Sequence, residues 1–215
     1  MIAFRAFEND SGTGAGRENG AAGHGQPGPA AYAGRFAKAR RTNPRWVDRE
    51  VGEFVCVLHM LAAAPDETTV ARAVAVLTRL ADEGFLRAAT LLGIMYDEGL
   101  FVSVDFREAV RWLSRGTELG GVNAAYRLGL VYLQDDFNRD IYRGVPLIRQ
   151  AALRGFAPAL RALGDIFRGG IGVLASRDAA RHFYVLAAAR GDEAARKDVD
   201  GDGRDGRPEG GVRWR

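Results

Sequence analysis

Cysteine is almost missing from this chain of 215 residues: Cys56 stands alone, so neither an intramolecular disulfide nor a cysteine metal cage can form. Set in the apolar run Phe54-Val55-Cys56-Val57-Leu58, its thiol is expected to be a small buried hydrophobe. Long hydrophobic runs are missing as well. Charged side chains interrupt every apolar stretch well before the roughly 18 residues that a membrane-spanning helix needs. The opening segment MIAFRAFENDSGTG meets Asp10 and Gly12 before an apolar core of about 7 residues or more can develop, which argues against a secretory signal. Glu8, Asp10 and Glu18 argue against a transit peptide, and the cytoplasm is the expected compartment. Histidine is scarce too. His24, His59 and His182 share no motif, Ser114 and Ser176 sit in no nucleophile elbow, and no Gly-rich loop matches a phosphate-binding pattern. Catalysis needs a positioned nucleophile, base and orienting group, so an enzymatic reading has no residues to rest on and no cofactor is implied.

What is present is enough apolar material for a sizeable core, 47% of the chain, and a net charge of +3 that is unevenly placed. Residues 1–45 carry seven basic side chains against three acidic ones, residues 192–215 carry six against seven, and the middle is balanced at seventeen each. The middle therefore has no net attraction for polyanions. If nucleic acid or an acidic membrane were bound, the basic run Arg35–Arg45 would be the point of contact. Residues 9–34 are rich in Gly, Ala and Pro without hydrophobic periodicity, and cannot bury enough surface to offset the entropy of ordering. The segment 196–215, dense in Gly and charge, reads the same way, so both ends are expected to be disordered. Between them nearly every segment has helical spacing and good helix formers. No strand pattern competes.

The decisive feature is an internal repeat. Opening glycines recur at Gly84, Gly120, Gly155 and Gly191, spaced 36, 35 and 36 residues apart. A second glycine stands nine residues after each of the first three, at Gly93, Gly129 and Gly164, preceded by Leu92, Leu128 and Leu163 and succeeded by Tyr96, Tyr132 and Phe167. Alanines stand at Ala88, Ala124, Ala159 and Ala195, and small residues recur at Ala73, Ala109, Gly144 and Ala180. Each unit is expected to be two antiparallel helices, with small residues letting backbones approach and the Leu and Tyr positions filling the seam. The opening glycines suit the left-handed position that ends a helix, and Asp105 and Asp140 suit N-caps. Gly144 and Pro146 weaken the second helix of the middle unit, which predicts a kink or an altered partner surface there. Upstream, residues 47–64 and 68–83 read as a degenerate capping pair, giving eight helices in four pairs.

These columns resemble the Sel1-like repeat, a relative of the tetratricopeptide repeat, most plainly in AVRWLSRGTELGGVNAAYRLGLVY, residues 109–132. The resemblance covers about residues 70–195 and favours Sel1-like units over tetratricopeptide ones, whose period is about 34 residues. It implies an all-α, right-handed α–α superhelix of about four antiparallel helix pairs: a cap at 46–83, repeats at 84–195, and tails at 1–45 and 196–215. It also implies a non-enzymatic adaptor that grips a protein or peptide partner on its concave face. A regulatory or secreted effector built on the same solenoid is the alternative. In the first helix of each unit the repeat columns consume one face, so the residues six, seven and ten after the opening glycine point elsewhere. These are Thr90, Leu91 and Ile94; Tyr126, Arg127 and Leu130; and Arg161, Ala162 and Asp165. Tyr126, Arg127 and Arg161 are the preferred anchors by residue type. The C-terminal segment carries one more pattern. Asp198, Asp200, Asp202 and Glu209 satisfy the short calcium-loop spacing, which would make a calcium-responsive module, although Asp205, Pro208 and the short remainder depart from it and a solvated acidic tail is the plainer expectation.

Overall fold

The computed structural model describes residues 45–63, 65–134 and 140–201, and none of these is in a strand. Among them are nine helices: α1 (Arg45–Ala62), α2 (Glu67–Asp82), α3 (Leu86–Glu98), α4 (Phe106–Glu118), α5 (Val122–Gln134), α6 (Ile141–Leu153), α7 (Ala157–Gly169), α8 (Arg177–Ala189) and α9 (Glu193–Gly201). Every substantial helix contact joins neighbours in chain order or helices two apart, as α3 with α5. That nearest-neighbour pattern is a solenoid, because no element crosses the row to close a globule.

The repeat columns explain the row. Gly84, Gly120, Gly155 and Gly191 take φ of 95°, 87°, 81° and 89°, a region closed to most side chains, and so turn the chain out of one unit into the next. The second glycines set the spacing inside a unit. A Cβ at Gly93 would lie 2.5 Å from Leu113 Cγ, one at Gly129 2.7 Å from Ile148 Cγ1, and one at Gly164 2.4 Å from Tyr184 Cε1. Each first helix therefore rests its bare backbone on a large buried side chain of the second. Second helices start on side-chain caps: Asp105 Oδ1 accepts from the Arg107 and Glu108 N–H groups at 2.8 and 3.1 Å, Asp140 from Arg143 at 3.0 Å, and Ser176 Oγ from Ala179 at 3.2 Å. The N–H of each cap residue also donates to the aromatic column, from Asp105 to the Tyr96 carbonyl, Asp140 to Tyr132 and Ser176 to Phe167, at 3.0, 2.9 and 2.9 Å. In all three units the start of the second helix is thereby tied to the end of the first.

Three expectations are corrected. Cys56 is exposed: Phe54, Val57 and Leu61 form the buried stripe of α1, and two residues beyond Phe54 the helix has rotated about 200°, away from that stripe. The helices among the described residues number nine, since residues after Gly191 begin a further first helix with Ala195 fully buried and Asp192 Oδ1 accepting from the Ala195 N–H at 2.9 Å. Residues 196–201 consequently continue as helix. Helix α6 continues through Pro146, which sits on its exposed side. Gly144 has a packing cause, because a Cβ there would come 2.9 Å from the Gly129 carbonyl oxygen and 2.8 Å from Leu133 Cγ.

Candidate partner-binding surface

The first helices α3, α5 and α7 hold all nine residues expected to face a partner, yet packing divides them. Thr90 and Ile94 are fully buried, and Leu91, Ala162 and Asp165 nearly so; Thr90 Oγ1 donates to the Leu86 carbonyl at 3.0 Å inside its own helix. These five hold helices together. Tyr126, Arg127, Leu130 and Arg161 remain half-buried, with some surface open.

The division obeys a rule that the spacing alone does not reveal. In the second and third units the residue six after the opening glycine meets the residue one after the next opening glycine. Tyr126 packs edge-on against Phe156 with ring centroids 5.3 Å apart, and Arg161 Nε lies 3.4 Å from Asp192 Oδ2. Phe54 and Phe85, at the equivalent places of the cap and first unit, pack edge-on at 5.4 Å. This position is the adhesive between units. The signal was legible as paired aromatics 30 or 31 residues apart, but only the row of stacked units makes that separation a contact.

Charge concentrates at two places beside this seam. Toward the N-terminal end, Arg127 of α5 reaches back to an ion pair with Glu98 of α3. Its guanidinium is held there with part of the side chain still open, and Asp97, next to Glu98 in the chain, is left without an ion-pair partner among the described residues. Burial pushes the Asp97 carboxyl up to about 6, with Glu98 adding to the rise and Arg127 opposing it. A raised carboxyl stabilises the fold most when protonated, so its contribution is full below about pH 3.8 and is lost as the pH climbs through about 6. Asp97→Asn, which mimics the protonated form, is expected to raise stability by about 1–2 kcal/mol at pH 8, discounted for partial solvent exposure. Urea denaturation at pH 8 and pH 4 checks this, since the advantage should disappear at the lower value.

At the other end, Asp165 accepts from the Tyr184 hydroxyl and from Arg168 Nη2, each at 2.8 Å, while Arg161 Nη1 stands 3.8 Å from its second oxygen. Burial, and after it the Asp165 charge, pushes the Tyr184 phenol far up, so the hydroxyl stays a donor. Asp198 of α9 joins the cluster; burial and then Asp165 raise its carboxyl.

Asp198 also bears on the calcium pattern. Residues 198–201 lie in α9, whereas such a loop turns its chain around the ion from the first ligand onward. Asp202 and Glu209 lie outside the described residues, as do residues 1–44 and the basic run up to Arg41. Among the described residues no three His, Cys, Asp or Glu side chains gather to hold a metal. Nor is any described helix long and apolar enough to cross a membrane.

An open row of helix hairpins, joined by a repeated seam and offering unlike side chains at equivalent positions, defines a helical-repeat solenoid. This chain belongs to the Sel1 repeat family: the family model matches residues 86–121, 122–156 and 157–192, and Sel1 repeats are generally protein–protein interaction modules. It is 33% identical to a Sel1 repeat protein from Oxalobacter formigenes of known crystal structure, over 60% of this chain and 98% of that one, with a TM-score of 0.51. It is 28% identical to c5321, a protective antigen of uropathogenic Escherichia coli strains with an SLR fold, over 62% of this chain and 28% of that one, with a TM-score of 0.56. An uncharacterised protein of Neisseria meningitidis serogroup B is 30% identical over 146 residues, 66% of this chain. The chain spans 30% of the length of that curated relative.

Proposed function

We propose that this chain is a non-enzymatic scaffold that holds a segment of a partner protein along its first helices, with Arg127 and Leu130 at the centre and the open edges of Tyr126 and Arg161 beside them. One observation carries the reading. At positions where the first unit buries Thr90, Leu91 and Ile94, the second unit keeps Tyr126, Arg127 and Leu130 half open, although burying them would have added to the core. Aromatic and arginine side chains held by a rigid frame supply contact area at low entropic cost. Tyr126 and Arg161 make the contacts between units, so removing them would confuse binding with folding. The test uses Arg127→Ala combined with Leu130→Gln, and since Arg127 pairs with Glu98 and Leu130 packs on the core, Glu98→Gln serves beside it as the control that breaks the same ion pair and leaves the Arg127 side chain in place. Partners captured from lysate of the native organism by the unmodified chain should bind the double variant about tenfold more weakly, the loss of one hot-spot contact, with helicity unchanged. Equal capture by both proteins would move the partner to another face.

The protective-antigen relative supports a second reading, in which the same solenoid acts outside the cell that makes it. Immunoblotting of culture medium and cell lysate separates the two, since an effector would accumulate in the medium without lysis markers.

A further inference from the structure

Helix α6 is apolar on two opposite faces. Gly144, Ile148, Ala151 and Ala152 form its buried side. On the other side Tyr142, Pro146, Arg149 and Leu153 are all exposed, Tyr142 and Leu153 to 93% and 83%. Spacings of four, three and four residues keep these side chains within about 60° of one another around the axis, so they form one stripe about 16 Å long. The stripe is peculiar to this unit. Counted from the small residues Ala109, Gly144 and Ala180, the places of Tyr142, Pro146 and Leu153 are held in α4 by Arg107, Arg111 and Glu118. In α8 they are held by Asp178, His182 and Ala189. The middle unit thus exposes apolar surface where its neighbours carry mostly polar side chains, in the helix where Gly144 and Pro146 predict an altered surface.

Charge around the stripe has one sign, although the middle of the chain as a whole is balanced. From Asp140 to Arg154 and from Ser176 to Arg190 the sequence holds six arginines against two carboxylates, Asp140 and Asp178. Only Arg143 is in an ion pair, with Asp140 at 3.2 Å. Arg154 and Arg190 donate instead to the backbone carbonyls of Gly120 and Leu186, at 2.7 and 3.2 Å. Arg149, Arg177 and Arg181 are exposed and have no carboxylate partner among the described residues. The two helices are neighbours. A Cβ at Gly172 would lie 2.4 Å from Ile141 Cγ2, so the turn leading into α8 presses on the start of α6.

These two properties select the occupant. A second copy of the same face would oppose arginine to arginine. A nucleic acid would meet the arginines but lay charged phosphates on Tyr142, Pro146 and Leu153. A protein segment draws its affinity from side chains sunk in desolvated pockets, whereas side chains as exposed as Tyr142 and Leu153 stand above the surface and line none. An anionic bilayer satisfies both properties. Protruding tyrosine and leucine enter the boundary between headgroups and acyl chains, and arginines are drawn to the negative headgroups. We propose that the outer face of α6, with the arginines of α6 and α8 around it, rests on an anionic lipid surface through Tyr142 and Leu153. The helix lies on the membrane and does not cross it. None of these residues is assigned to the partner segment on the first helices, so the two readings stand or fall separately.

Co-sedimentation of the full chain with vesicles tests this. The chain should pellet with vesicles of phosphatidylcholine and phosphatidylglycerol in equal parts and stay in the supernatant with phosphatidylcholine alone. Arg149→Ala combined with Arg181→Ala should weaken the binding about twentyfold, since each arginine near an anionic bilayer contributes about fivefold. Tyr142→Ser combined with Leu153→Ser should weaken it about tenfold. Circular dichroism should be unchanged in both, because all four side chains are exposed. Failure of the unmodified chain to pellet with the anionic vesicles overturns the proposal, as does equal pelleting with the neutral ones. Binding that either double variant retains in full overturns it too, the basic run Arg35–Arg45 being the other source of positive charge. A chain that ignores both vesicles but binds a copolymer of glutamate and tyrosine, with loss in both variants, would assign the face to an acidic protein segment instead.

Discussion

Gly164→Ala is expected to lower the unfolding free energy by about 3 kcal/mol, the upper part of the range for overpacking a core. An alanine would ordinarily strengthen an exposed helix by about 1 kcal/mol relative to glycine, so the sign itself is diagnostic. The new methyl would sit 2.4, 2.6 and 2.9 Å from Tyr184 Cε1, Cδ1 and Cζ. That ring has nowhere to go: it is 1% exposed and its hydroxyl is fixed to Asp165 at 2.8 Å. Relief would have to come from moving α7 off α8, which opens the last unit. Urea denaturation monitored by circular dichroism measures the loss. A change smaller than about 0.5 kcal/mol, the size of an ordinary surface substitution, would show that the second glycines do not set the helix spacing.

Asp165→Ala is expected to cost about 3 kcal/mol and Asp165→Asn about 1 kcal/mol, the difference being whether an acceptor remains for the buried donor. Asp165 is 5% exposed and serves Tyr184, Arg168 and, less closely, Arg161. With alanine the Tyr184 hydroxyl is stranded in the core, and two arginines lose the charge that faces them. Tyr184→Phe removes the stranded donor, so the double variant Asp165→Ala with Tyr184→Phe should be less destabilised than the sum of the single changes, a coupling that shared hydrogen-bond partners produce. Strict additivity in the double-mutant cycle would mean that the two side chains do not act as a unit. This result also bears on the partner surface, because a residue expected to meet a partner by its offset in the repeat instead secures α7 to α8.

The periodic glycines and alanines made the row of hairpins legible, down to the left-handed conformation of Gly84, Gly120, Gly155 and Gly191 and the caps at Asp105 and Asp140. These are local matters, settled by whether a side chain fits a given φ or a carboxylate reaches a nearby N–H. The candidate surface was legible only as a set of helix positions. Thr90 and Tyr126 stand at the same offset, yet Thr90 is sealed and Tyr126 half open, because what lies across from them differs: Thr90 faces Gly116 of its own unit, whereas Tyr126 meets Phe156 of the next. Cys56 shows the same limit. An apolar run of five residues looks buried throughout, but in a helix successive side chains point about 100° apart, so Phe54 and Val57 are buried while Cys56 is exposed.

Sequence alone determined the architecture, since a unit of 35 or 36 residues that cannot bury its apolar face by itself has to stack on its neighbours. Tertiary structure decided which side chains are adhesive and which are open, and that Asp97 is held in a site that raises its carboxyl to about 6. The reason is distance along the chain. Periodicity reports what a residue does within its own helix, whereas burial, charge pairing and exposed edges depend on residues a full unit away, and these meet only once the row has formed.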